Sequence, residues 1–211
     1  IISVITLVLG VSVAIYLYQR YVRDEDYEGK PVTTITEPNP TPSQKATLAY
    51  FFVAILLFVI QVGLGSLTGH FTVEGTHFFG LPIGDILPYA AVRTWHVQLA
   101  IFFIASCFLA AGLFIGPYVG HEPKHQGKLV WGLFGAVVVV VVGALSGTYA
   151  SIVGAFGGNG FLFGHQGYEY IELGRFWQLL LIVGMIGWLV LVVRAIRPAL
   201  SDEKEADGIT H

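Results

Sequence analysis

The sequence predicts an all-α fold, a polytopic transmembrane helix bundle of about five spanning helices. Three observations carry that prediction. Hydrophobic residues make up 55% of the 211-residue chain and charged residues only 12%, a balance too apolar for an ordinary soluble domain. Several stretches of about 20 apolar residues are each long enough to cross roughly 30 Å of hydrocarbon. The β-branched run "AVVVVVVGAL" would suggest a strand in water, but in lipid an isolated strand leaves its backbone unpaired, so it is assigned to a helix.

The first span is Ile1–Tyr18. It begins without methionine, and its basic residues follow the apolar run instead of preceding it, unlike a cleavable signal peptide. Residues 1–20 are therefore expected to be a spanning helix that enters from the outer side and belongs to a longer chain. Residues 21–46 form a Pro-rich connection containing "EPNPTPSQKA", expected to be extended, with Ser43 as the N-cap of the next helix. Residues 47–196 hold four further spans: Thr47–Leu67, Val92–Ile115, Leu129–Ile152 and Phe176–Ile196. Gly63, Gly65, Gly112, Gly132, Gly135, Gly143, Gly184 and Gly187 lie within them, and small residues let helices approach closely. Residues 197–211, with "SDEKEADGITH", are a solvated tail.

Lysine and arginine set the expected direction. Nine of the eleven fall in or immediately beside loops 21–46 and 117–128 and the C-terminal tail, with Arg20 and Arg194 at the adjoining span ends, so those segments are expected in the cytoplasm, with the chain in the cell (inner or plasma) membrane. Several functions are excluded or disfavoured. No basic run suggests nucleic acid, and the single cysteine, Cys107, expected to be a small buried hydrophobe, offers neither a disulfide nor a Cys-based metal site. The glycine-rich "GAFGGNGFLFGHQG" lacks the Gly-Lys-Ser/Thr ending of a phosphate loop and is expected to be a flexible outer connection. Trp95 and Trp177 fit an aromatic belt at the outer face.

Two arginines break the charge rule, Arg93 and Arg175, each opening an outward-facing helix end. Snorkelling to headgroups is one explanation, and neutralising an anion held near the outer face is another. Arg93 and His96 are three apart and share a helix face. A haem against that face would meet an imidazole with its iron and a guanidinium with its propionates. A structural histidine and a proton-relay histidine are the other readings of His96. The remaining histidines lie outside the spans, so this chain alone cannot complete a buried bis-histidine haem. His70 and Glu74 are four apart, on one face if the helix continues to them. They are an interfacial pair that can be merely solvated or can accept protons. His77 is expected to be a surface residue.

Three stretches, "GHFTVEGTHFFG", "RTWHVQLAIFFIASCFLAAGLFIGP" and "FGHQGYEYIELGRFWQ", resemble bacterial and archaeal quinol-dependent nitric oxide reductases of the haem–copper oxidase superfamily. The resemblance runs through nearly the whole chain and places it as an early-middle segment of a longer enzyme and a larger bundle. It implies that His96 is an axial ligand of low-spin haem b, with its partner ligand on a later helix, and that Arg93 lies near the haem propionates. His70, Glu74 and Phe78 match the proposed quinol site. Glu169 matches a calcium ligand between the propionates of the two haems, with Glu172 close to the calcium or haem. The implied partners are the remainder of the reductase: an outer hydrophilic domain, and later helices carrying haem b3 and the non-haem iron. With the binuclear-centre ligands elsewhere, no catalytic residue is expected here, and this segment alone should not reduce NO. The alternatives are a nitric oxide dismutase-like relative, against which His70 and Glu74 argue, a haem-free membrane scaffold or transporter fragment, and a small bis-histidine cytochrome b.

Overall fold

The computed structural model describes residues 9, 10, 12, 13, 15–17, 20, 39–165 and 173–201, the side chains of 200 and 201 excepted. It divides into two compact units, Ile1–Asn39 and Pro40–His211. In the first, the described positions between 9 and 20 are helical and exposed. The rest of that span, most of the following connection and the tail from 202 lie outside the described residues.

The second unit is built on four long helices. They are α1 (Pro42–Glu74), α3 (Tyr89–Val119), α4 (Gln126–Ile152) and α6 (Arg175–Ser201). Two short helices, α2 (Ile83–Ile86) and α5 (Gly160–Phe163), sit in the connections. All four long helices are apolar and long enough to span a membrane. They match the four predicted spans, each extended by a few residues at one or both ends. At about 1.5 Å of rise per residue, the 33 residues of α1 reach about 50 Å, well beyond the hydrocarbon. Its last two turns therefore stand at an interface.

α1 starts earlier than expected, and its cap is not Ser43. Thr41 is the N-cap: its hydroxyl accepts from Gln44 N at 3.3 Å, and Gln44 Oε1 accepts from Thr41 N at 2.9 Å. Pro42 occupies the first helical turn, where its missing N–H costs nothing and its fixed φ helps. Ser43, already helical, instead donates its backbone N–H to Glu122 Oε1 at 3.1 Å and its hydroxyl to Glu122 Oε2.

Contacts at one end give an alternating up-and-down order. The start of α1 meets Glu122 in the α3–α4 loop, His121 N donates to Ala195 O of α6 at 3.1 Å, and Arg194 Nη2 donates to Lys124 O at 3.3 Å. Lys45, Lys124, Lys128, Arg194 and Arg197 thus share one end, and His70 and Arg93 lie toward the other. Pro117 and Pro198 interrupt α3 and α6 near the first end. The carbonyl three residues before each proline is taken by a neighbour: Phe114 O by Gln44 Nε2 at 3.0 Å, Ala195 O by His121 N.

α3 is the most buried of the four and packs on α1, α4 and α6. One core layer gathers Tyr50, Leu113, Val130 and Leu191; a second gathers Leu57, Leu99, Phe102 and Val140. Tryptophans lock the bundle. Trp188 of α6 sits on Gly112, with its indole 2.7 Å from where a Cβ would be, and donates to Leu109 O at 3.1 Å. Trp177 sits on Gly143 in the same way and donates to Phe163 O at 2.7 Å. Trp95 of α3 donates to Leu145 O of α4 at 2.9 Å. The indole N–H of Trp95 thus ties two helices, and that of Trp177 ties α6 to α5, beyond any belt role. Of the eight glycines named from the sequence, Gly65, Gly112 and Gly143 make such close approaches; Gly63, Gly132, Gly135, Gly184 and Gly187 face open space among the described residues.

Two further expectations are corrected. The glycine-rich connection is not simply flexible: a 3₁₀ turn at Gly157–Asn159 leads into α5, which packs back on α4 and α6. Its approach is possible because Gly147 lacks the Cβ that would strike Phe163 O. Cys107 is half-buried, not buried, because α3 turns that face away from its densest contacts.

Candidate functional site

His96 lies in the second turn of α3, half-buried against α1. Its Nδ1 is 2.9 Å from the Gln61 backbone carbonyl and 3.1 Å from the Gln61 side-chain Nε2. These two contacts want opposite protonation at Nδ1. A backbone carbonyl can only accept, whereas the nitrogen and oxygen of a side-chain amide exchange by a flip. The carbonyl therefore decides, and Nδ1 carries the proton. Nε2 then keeps its lone pair, and it has no hydrogen-bond partner among the described residues. That is the donor set a metal-bound imidazole has, with one nitrogen held by a carbonyl and the other available. The ring is seated on Gly65, where a Cβ would lie 2.7 Å from Cε1 and 2.9 Å from Nδ1. Gly65 and Gln61 are four apart on α1, so one helix face supplies both the seat and the acceptor.

Arg93 is half-buried one turn before His96 on α3, as the spacing predicts. Arg175 is exposed in the first turn of α6.

The second cluster stands at the end of α1. The helix continues to Glu74, so His70 and Glu74 do share a face; His70 Nε2 lies 3.5 Å from Glu74 Oε2. Gly75, at φ 84, ends the helix and turns the chain back. His70 Nε2 then donates to the His77 carbonyl at 2.9 Å. His77 is exposed, as expected, and contributes its carbonyl. The Phe78–Leu81 backbone pair closes a two-residue turn, with bonds of 2.8 and 3.0 Å. Both central residues have positive φ, Phe79 at 48° and Gly80 at 82°, as in a type I′ turn. Phe78 meets the His70 ring edge-on, with centroids 4.6 Å apart. The structure thus brings His70, Glu74 and Phe78 together.

His96 and this cluster belong to one region: from Gly65, which holds His96, to His70 is five residues of α1, about 7.5 Å of rise. Glu169 and Glu172 lie outside the described residues. Among the described residues no three His, Cys, Asp or Glu side chains group as a metal site. Sequence reasoning missed Gln61 and Phe79 and took Gly65 for simple packing. Gln61 carried a signal, since it is a polar side chain inside an apolar span; Phe79 carried none.

Four spanning helices, with polar side chains gathered between two of them, define a multi-pass helical membrane protein. Residues 45–210 match the family described as cytochrome c and quinol oxidase polypeptide I. The chain belongs to that family, the haem–copper oxidases, a family of oxidoreductases that binds haem and metal. It is also similar to a nitric oxide reductase subunit from Stutzerimonas stutzeri, 28% identical over 151 residues. The alignment takes in 70% of this chain and 30% of that relative, so the chain spans about a third of the relative's length.

Proposed function

We propose that the chain is a segment of a quinol-oxidising nitric oxide reductase, contributing the quinol site and one axial ligand of low-spin haem b. The observation that supports this best is the contact of His96 Nδ1 with the Gln61 backbone carbonyl. With Nδ1–H on the Gln61 carbonyl, Nε2 is the atom that would hold haem iron, and Arg93, one turn outward, would face its propionates. Haem b held there supplies a one-electron acceptor close to the outer interface.

His70, Glu74 and Phe78 serve the quinol. His70 Nε2 is committed to the His77 carbonyl, which leaves Nδ1 with a lone pair for a quinol hydroxyl. Glu74, largely exposed, accepts a second proton and can pass it to water. Phe78 gives the headgroup an apolar contact. The relative's name supports nitric oxide as the final acceptor, and the family's description covers quinol oxidases. The complete enzyme would turn two NO, two electrons and two protons into N2O and water. Haem b3 and the non-haem iron would sit on helices from the remainder of that enzyme. Glu169, with Glu172 nearby, keeps the calcium role implied by resemblance. The lysine and arginine distribution supports a cytoplasmic position for loops 21–46 and 117–128 and the tail.

The test is the optical spectrum of the assembled enzyme with and without His96→Ala. Loss of the low-spin haem band, with the high-spin band kept, is the expected result. An unchanged spectrum in fully loaded enzyme would remove the basis of this proposal.

A further inference from the structure

We propose that Phe79 is the outer wall of a three-ring slot for the quinol headgroup. This rests on the quinol site proposed above and adds a residue to it. The slot is read from ring geometry. The rings of His70 and Phe79 are inclined at only 31°, with centroids 6.0 Å apart. Phe78 stands edge-on to both, at 64° and 4.6 Å to His70, and at 85° and 4.7 Å to Phe79. The His70 and Phe79 rings, tilted to one another, form two sides, and Phe78, in contact with both, closes the end between them. A flat ring held between two others needs two stacking contacts of about 3.5 Å each, so about 7 Å in all. With centroids 6.0 Å apart the two rings already meet, so the slot opens only when the exposed Phe79 side chain swings outward.

Two features indicate that this ring is held for a purpose. Phe79 is 85% exposed, so its phenyl contributes little to folding. Its backbone is in the left-handed region, which is strained for a bulky residue and which glycine or asparagine would adopt more easily. The turn itself therefore gains nothing from a phenylalanine. The far wall is fixed by the same turn, because the His70 ring is tied to the His77 carbonyl. Glu74 stands beside the slot, with its Oε2 3.5 Å from His70 Nε2 on the ring's edge. An aromatic diol fits this chemistry: faces for its ring, and acceptors for its hydroxyl protons at the rim.

The experiment uses membranes containing the complete enzyme, with NO consumption followed at an electrode and duroquinol as the probe. Wild type, Phe79→Ala, Phe79→Gly, Phe79→Trp and His70→Ala are compared, each normalised to its haem content. A parallel arm supplies electrons by ascorbate and phenazine methosulfate, independent of the quinol slot. The expected result is a KM for duroquinol raised about tenfold in Phe79→Ala and Phe79→Gly, with kcat changed less than twofold, and a KM restored by Phe79→Trp. His70→Ala is expected to lose quinol-driven turnover and keep the chemically driven one. If His70→Ala behaves so while Phe79→Ala keeps its KM, the slot is overturned and the quinol site stands. If neither variant alters duroquinol kinetics, both fall. An equal loss in both arms for Phe79→Ala makes the residue structural, and a loss of membrane content alone makes it a lipid anchor; either overturns the slot.

Discussion

Gly65→Ala isolates what positions His96. The new Cβ would lie 2.7 Å from Cε1 and 2.9 Å from Nδ1 of the imidazole, whereas an ordinary carbon contact is about 3.5–4.0 Å. The ring must retreat from α1 by about 0.8 Å or more. The Gln61 carbonyl lies on the same face of α1, so that retreat stretches the 2.9 Å bond to Nδ1 toward about 3.7 Å, outside hydrogen-bond range. Overpacking costs about 1–3 kcal/mol and the lost bond about 1, while alanine in a helix returns up to about 1. The net expectation is a destabilisation of about 1–3 kcal/mol. With His96 holding haem b as proposed, a hydrogen bond at Nδ1 raises ligand basicity, so losing it should move the low-spin haem potential upward. A one-electron couple moves about 59 mV per tenfold change in relative binding, so a shift of several tens of millivolts is expected. The assays are a spectroelectrochemical titration of the low-spin band and a thermal melt of the assembled enzyme. Gly63→Ala is the control, because nothing lies within 4 Å of its Cβ position, and both readouts should stay near wild type. Equal potentials and equal melting in the two variants would refute the reasoning.

The remaining predictions concern the scaffold. Gly143→Ala should drive Trp177 off its seat and break its bond to Phe163 O, lowering stability by about 3 kcal/mol, the upper end for overpacking. Trp177→Phe in that background should recover part of the loss in a thermal melt, and no recovery would mean that the clash lies elsewhere. Thr41→Ala should cost about 1 kcal/mol by removing the α1 cap. An equal melting temperature for Thr41→Ala and wild type in detergent would show that the capping box carries no weight.

How much could be seen in advance depended on the range of each interaction. The four long helices were legible because length and apolarity are local properties, and lipid imposes them on every span. The His70–Glu74 pairing was legible for the same reason, since four residues make one turn. The start of α1 was missed because Ser43 and Thr41 are both good cap residues. Pro42 at the first helical position and Gln44 three residues after Thr41 tip the choice, and Glu122, far along the chain, draws Ser43 into another role. The packing of α5 was missed because its fit depends on Gly147 and Trp177, neither of which belongs to it.

The sequence by itself determined that this chain crosses a membrane several times, which ends of its helices share the positive charges, and that one histidine follows an arginine by a turn. Only the tertiary structure decided what that histidine touches. Its spans are apolar nearly all round, because a neighbouring helix and a lipid tail are equally apolar environments, so no polar stripe announces which faces meet. The seat at Gly65, the carbonyl of Gln61 that accepts the Nδ1–H, and the ring of Phe79 beside His70 come from helices and turns brought together in space, and no spacing along one helix encodes them.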